Sequence, residues 1–339
     1  MQKVAVVGCG FMGATHMEAY RLLPNAEIAA GVDVSADTRT KTADKYAVPV
    51  HESLEPVLED DSISIVDICL PTGMHRECAE NALAAGKHVL CEKPMALTVE
   101  DAQAMADAAE QAGKFLMVAQ VLRFWPEYAW AKEMIDGGEL GKLLSMSCVR
   151  RSTRPEWSWD GWMTRPEASG GGALDLHIHD ADWICYCLGR PKAVASTGVK
   201  SEMGWDYLYT NYYYDEASAS AESGIGYAPS FGFRAAFTAM LEGGQIEFDG
   251  ALDPPLRVYR AGAEEPEYPK MEPIVEGAAA AEGGNISELG GYYLECKYFV
   301  DCVESGEPPS VVPPEDGVRA VEVCLAEIQS AETGERVPL

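Results

Sequence analysis

The chain holds 339 residues, which at roughly 150 residues per domain points to two domains and excludes a small peptide module. Apolar residues make up 47% and charged residues 24%, an ordinary globular balance that excludes disorder. Asp and Glu outnumber Lys and Arg by 54 to 26, a net charge of -28, so nucleic acid is not an expected partner unless a local basic patch outweighs the field. No window approaches the ~18 consecutive apolar residues of a membrane span, and no signal-peptide pattern precedes the first strand-like run, so neither membrane insertion nor export is expected. The ten cysteines lie in core-like runs without C-x-x-C spacing, which reads as reduced thiols of a cytoplasmic protein.

In chain order, residues 3–7, 27–33, 64–69, 88–91 and 115–121 read as short β-branched strands separated by helical patterns. That alternation predicts βαβ units and a doubly wound parallel sheet covered on both faces. Thr98-Val-Glu-Asp101 has the form of a capping box, and the helix it opens should stop at Gly113. Beyond about residue 122 the texture changes to longer alternating stretches at 143–151, 207–214 and 231–248, expected to build one large, open, mainly antiparallel sheet of an α+β domain. Residues 261–284, rich in Glu, Pro, Gly and Ala, should be irregular and exposed. Helical pattern returns at 291–305 and 314–330.

The first strand runs into Gly8-Cys9-Gly10-Phe11-Met12-Gly13, with a helical pattern from Phe11. In this dinucleotide fingerprint the first glycine turns tightly, the second lets backbone approach a pyrophosphate, and the third lets helix and strand pack closely. The turn alone is weak, because glycines also join strands to helices for steric reasons. Asp33, about 20 residues further on, strengthens it, since its carboxylate can accept from the adenosine ribose hydroxyls and would repel a 2′-phosphate. Val34-Ser35-Ala36 supplies no adjacent cation, so NAD is favoured over NADP. Asp33 can also cap the next helix.

Residues 69–94, CLPTGMHRECAENALAAGKHVLCEKP, resemble the glucose-fructose oxidoreductase, inositol dehydrogenase and MocA (Gfo/Idh/MocA) family, and SGGGALDLHIHDADW at 169–183 is similar to that family's glycine run followed by Asp, His and Asp. The resemblance covers essentially the whole chain. It implies an NAD-binding Rossmann domain at 1–121 and a substrate-binding and oligomerisation domain at 122–339, with nicotinamide and substrate meeting between them. It further implies a homodimer or homotetramer through the C-terminal sheet.

By motif, Lys93 of Cys91-Glu92-Lys93-Pro94 matches the family's catalytic lysine, and Asp175 and His179 match its catalytic aspartate and histidine. Oxidising a carbinol requires a base for the hydroxyl proton and a donor for the developing oxyanion, and Lys93 and His179 supply those functions while Asp175 orients. If the segment is an α-helix, the i, i+4 spacing puts Asp175 and His179 on one face. Pro71, Thr72, His75 and Glu92 match positions near the nicotinamide. Arg123 either reaches cofactor or substrate or makes a domain-bridging ion pair, and Trp162 resembles a tryptophan near the cofactor. Trp157, Trp162 and Arg165 are candidates for substrate contact, although aromatic residues more often simply pack. His177 departs from the family's small or apolar residue, which leaves a choice between a different helix face and an added substrate contact. His177, His179, Asp180 and Asp182 do not form a metal set, because residues two apart on a helix do not face each other.

The expected activity is hydride transfer between NAD and a secondary hydroxyl of a sugar, cyclitol or glycoside, a small polyhydroxylated substrate. Two alternatives stand beside it: redox-neutral glycoside cleavage by oxidation and elimination, and a non-catalytic NAD-sensing regulator.

Overall fold

The computed structural model describes residues 1–155, 158–271, 274 and 289–339. Strand and helix alternate first: β1 (Gln2–Val7), α1 (Phe11–Leu22), β2 (Ala26–Val32), α2 (Ala36–Tyr46), β3 (Val50–His51), α3 (Glu55–Glu59), β4 (Ile65–Ile68), α4 (His75–Ala84), β5 (His88–Glu92), α5 (Val99–Ala112) and β6 (Leu116–Ala119). There follow α6 (Pro126–Gly137), β7 (Leu143–Thr153), α7 (Pro166–Ser169), α8 (Ile178–Leu188), β8 (Ala193–Ser201), β9 (Gly204–Tyr213), β10 (Ser218–Tyr227), β11 (Phe233–Leu241), β12 (Gly244–Asp249) and β13 (Leu256–Arg260). The chain closes with α9 (Gly290–Ser305), α10 (Pro314–Thr333) and β14 (Val337–Pro338). Contacts divide it into two compact units, one of Met1–Phe124, Trp157–Trp162 and Ile274–Val318, the other of Trp125–Glu156, Met163–Pro273 and Arg319–Leu339.

The first unit holds a six-stranded sheet in the order β3-β2-β1-β4-β5-β6, every neighbouring pair parallel. This is the order of a Rossmann sheet, with the strand direction of travel reversing between β1 and β4. Val4, Ala5, Val6, Ile65, Val66, Val89 and Leu90 are fully buried, as continuous apolar strands must be when helices cover both faces. The Thr98 hydroxyl accepts from the Asp101 N–H at 3.1 Å, and Gly113 closes α5 in the left-handed conformation. Asp101 Oδ1 accepts from Arg76 at 2.7 Å. The last expected strand is shorter than 115–121, because residues Val121–Phe124 turn into a 3-10 helix. α9 packs on α1 within this unit.

The second unit holds an eight-stranded sheet, β13-β12-β11-β7-β10-β9-β8-β14, antiparallel throughout except for the parallel pair β7 and β10. Burial alternates along β9, with Asp206, Leu208, Thr210 and Tyr212 inside, so one face packs and the other is open. The run 231–248 is two strands rather than one, since Leu241 pairs with Gly244 across a tight turn. In 261–284, Glu267 makes an isolated bridge to Val258, while residues 272, 273 and 275–284 lie outside the described residues. No helix among the described residues is long and apolar enough to cross a membrane.

Candidate active site

The glycine turn sits where β1 feeds α1. A Cβ on Gly13 would stand 1.9 Å from the Gly8 carbonyl oxygen, so only glycine allows this approach of helix to strand. Gly10 is exposed with nothing within 4 Å of a built Cβ, and no side chain caps α1. The N–H groups of that first turn, with Phe11 and Met12 its half-buried opening residues, present the positive end of a helix to a phosphate. Asp33 Oδ2 accepts from the Cys9 N–H at 3.0 Å and Oδ1 from the Ser35 N–H at 2.8 Å, which aims the carboxylate at the turn and leaves lone pairs for a ribose. Thr72 is buried and its hydroxyl has no hydrogen-bond partner among the described residues. An open backbone cradle, an oriented carboxylate and an orphan hydroxyl fit a dinucleotide.

One neighbour of Asp33 was not legible from adjacent residues. The Arg39 guanidinium folds back across one helical turn and donates to the Asp33 and Val34 carbonyls at 3.0 and 2.9 Å, with Glu52 at 3.4 Å. A cation therefore does stand at the end of β2, contrary to the expectation drawn from Val34-Ser35-Ala36, but it is engaged by those carbonyls and by a carboxylate.

Glu92 closes β5 and Lys93 follows it through a cis bond to Pro94. Glu92 is buried, and its Oε2 accepts from the Lys93 N–H at 3.0 Å. Burial pushes the Glu92 carboxyl up, but His16 and Lys93 together hold it below the usual range, so it is an anion. His75 is buried beneath this segment, with Nε2 at 2.8 Å from the Leu70 carbonyl and Nδ1 at 3.0 Å from the Pro94 carbonyl. Burial lowers its pKa against the two carbonyls, which raise it, and the ring braces the two loops; Pro71 beside Leu70 is half-buried. Arg123 is buried and donates to the Val311 carbonyl at 2.7 Å and to Asp316 at 2.6 Å, all within the first unit. Trp162 lies half-buried in the Trp159–Thr164 segment, and Trp157 lies outside the described residues.

Asp175 belongs to the second unit, on a π-helical turn, Ala173–His177, that runs into α8. The expected plain α-helical spacing to His179 is thus replaced by an i to i+5 turn, a feature that recurs at functional sites. A Cβ at Gly171 would stand 2.5 Å from the Met203 carbonyl, so the glycine run permits the turn to lie against the β8–β9 hairpin. Asp175 is buried and His179 half-buried. Arg165, exposed, precedes α7. The three catalytic candidates therefore divide between the units, Lys93 in the first and the other two in the second.

His177 is fully buried, with Nδ1 2.8 Å from the Ser223 hydroxyl and Nε2 3.0 Å from Glu327 Oε2. Burial opposes its charge, yet Glu327 raises its pKa above the ordinary value. A raised folded value contributes stability that is fully present below the unfolded pKa of about 6.5 and disappears as pH rises through the folded value. Urea midpoints of wild type and Glu327→Gln should therefore differ most near pH 6 and converge on the alkaline side, and a gap that widens with pH would contradict the pairing. Asp180, another of the four His and Asp residues in this stretch, is committed to Arg150 through two bonds of 2.9 Å.

The sheet order and the glycine turn define a dinucleotide-binding α/β protein with an appended open-sheet unit. A family model described as oxidoreductase family, NAD-binding Rossmann fold, matches residues 2–120, and one described as the GFO/IDH/MocA C-terminal domain matches 128–239. The chain belongs to the Gfo/Idh/MocA oxidoreductase family. It is 30% identical over 303 residues to D-xylose 1-dehydrogenase (NADP(+)) 2 of Haloferax volcanii, covering 88% of this chain and 87% of that protein. It is 33% identical over 215 residues to levoglucosan dehydrogenase of Pseudarthrobacter phenanthrenivorans, a match that covers 56% of this chain and 52%, about half, of that protein's length. Among solved structures it superposes on GenD2 from gentamicin A biosynthesis, in complex with NAD, with a TM-score of 0.84 and 26% identity, covering 100% of this chain and 96% of that one. Levoglucosan dehydrogenase in complex with NADH and levoglucosan has the same fold, at a TM-score of 0.87 and 23% identity over 99% of each chain.

Proposed function

We propose that the chain is an NAD-dependent dehydrogenase acting on a secondary hydroxyl of a sugar, cyclitol or glycoside. The observation that carries this reading is the seat of Lys93. It follows the carboxyl end of a central parallel strand, the edge at which open α/β sheets bind their ligands, with an ionised Glu92 next to it. When bound, the nicotinamide supplies the hydride acceptor or donor. Gly8, Gly10, Phe11, Met12 and Gly13 cradle the pyrophosphate, Asp33 takes the ribose, and Pro71, Thr72 and Glu92 line the nicotinamide side. Lys93 and His179 handle the hydroxyl proton and steady the oxyanion, while the buried Asp175 orients. His75 serves by bracing Pro94, and Arg123 by tying its segment to Asp316, so neither need touch the ligand. His177, engaged on both ring nitrogens, is left out of the substrate set, and Trp162 and Arg165 remain in it.

NAD is preferred to NADP because a 2′-phosphate would meet the Asp33 carboxylate, whereas Arg39 is held by carbonyls and Glu52. The relatives named for D-xylose and levoglucosan, and D-glucoside 3-dehydrogenase of Escherichia coli, 33% identical over 204 residues and 57% of its length, define the panel. Purified protein with NAD or NADP and D-xylose, levoglucosan, methyl glucosides and inositols should form NADH with one of them, and with NAD better than with NADP. Product without net NADH would favour redox-neutral cleavage, and NAD binding with no turnover of any member would favour the regulator. Homodimers or homotetramers form through the open face of the eight-stranded sheet, where Tyr209, Tyr213 and Met240 are exposed large apolar side chains that need cover. Light scattering at micromolar concentration showing a monomer would refute that assembly.

A further inference from the structure

The interior of the first unit carries a charged cluster next to Glu92 that the proposed reaction leaves without a purpose. His16, on the second turn of α1, has 0% exposure. Its Nδ1 is 2.8 Å from Asp67 Oδ2 on β4, and its Nε2 is 3.3 Å from Glu92 Oε1 on β5. The same nitrogen is 3.9 Å from Glu295 Oε1 on α9. Cys69 Sγ, just past β4, lies 3.6 Å from Nδ1, Cys296 joins from α9, and Tyr20 on α1 and the Tyr292 ring complete the surroundings.

Two carboxylates do not stay ionised in a dry interior unless a cation stands between them. An imidazolium hydrogen-bonded to Asp67 through Nδ1 and at ion-pair distance, 3.3 Å, from Glu92 through Nε2 but without hydrogen-bond geometry there meets that need. Burial lowers the His16 pKa, but Asp67 and its neighbours raise it well above the ordinary value. Glu295 behaves differently. Neither of its oxygens has a hydrogen-bond partner among the described residues, and burial holds its carboxyl far above the usual range, so it is a neutral onlooker. Asp67, His16 and Glu92 thus stand in succession, and the outer end is the carboxylate whose Oε2 accepts the Lys93 N–H at 3.0 Å. Among the described residues His16, Asp67 and Cys296 also offer ligand atoms within 4.8 Å of one another.

We propose that His16 is a positioning residue for Lys93: held by Asp67, it fixes the Glu92 carboxylate, and Glu92, through the Lys93 N–H, sets where the lysine leaves the strand. The proposal rests on the reading of Lys93 as the lysine that handles the hydroxyl proton. A merely structural His16 would affect folding without affecting Lys93 through Glu92.

The test is a double-mutant cycle of His16→Asn and Glu92→Gln in the full chain with NAD bound. kcat, KM and NAD affinity are measured separately on the best substrate of the panel. Loss of the Glu92 carboxylate should lower kcat on the order of tenfold while KM and NAD affinity change little. His16→Asn should lower kcat when Glu92 is present and change nothing further when Gln stands at 92, because residues acting as a unit are non-additive. Additive effects, or a kcat unmoved in Glu92→Gln, overturn the proposal. Should His16→Asn lose NAD binding and its circular dichroism, Asp67→Asn, which frees the Nδ1 anchor, takes its place in the cycle. Lys93→Ala with full turnover would refute the reading of the lysine, whereas a dead Lys93→Ala beside an additive cycle would refute only the positioning.

Discussion

Lys93→Ala should lower turnover about 10²- to 10⁴-fold, the range expected when a positioned proton-transfer group is removed, while NAD binding measured by fluorescence quenching changes little. Lys93 follows β5, and its backbone N–H donates to Glu92, a contact that truncation of the side chain leaves in place. kcat and kcat/KM should fall together, because the interaction is made with the proton leaving in the transition state. Unchanged turnover on the substrate that wild type oxidises would rule out the assignment.

The largest stability effect should come from the second unit. Asp180→Ala should destabilise the protein by about 3–5 kcal/mol, read from urea unfolding. Arg150 and Asp180 are both buried and joined by two bonds of 2.9 Å, with the Tyr128 hydroxyl 3.3 Å from the same guanidinium. Burial lowers the Arg150 pKa, but Asp180 overcompensates and raises it, so the guanidinium cannot escape by losing its proton when its partner is removed. Replacing both residues with apolar ones of similar size, as in Arg150→Met with Asp180→Leu, should recover much of the loss, since a buried pair is worth little against good apolar packing. A single mutant within about 1 kcal/mol of wild type would show that water reaches the pair.

The elements of the first sheet were readable because each is a local pattern. A β-branched run bounded by glycine, a capping threonine and a terminal glycine act within a few residues of themselves, and β1, β2 and α5 fall within one or two residues of their expected ends. The run at 231–248 misled because alternation continues across a tight hairpin: Glu242 and Gly243 turn the chain without breaking the period of two. The segment around Asp175 misled for the opposite reason, since a π-turn inserts a residue without any composition signal of its own.

Site residues separate along the same physical line. Gly13, Asp33 and Lys93 were visible because their chemistry is tied to fixed offsets within one strand–turn–helix unit or one motif. His16, Asp67, Arg39 and Glu327 carried no such signal. Each is an ordinary residue on its own element, and its importance lies in a partner far along the chain or one helical turn away, such as Glu92 for His16 or His177 for Glu327. Linear pattern was enough for the family, the NAD-binding Rossmann domain and the candidates for the chemistry. Only the tertiary structure decided which charges are buried together, because the balance between desolvation and pairing depends on distances that no linear pattern encodes.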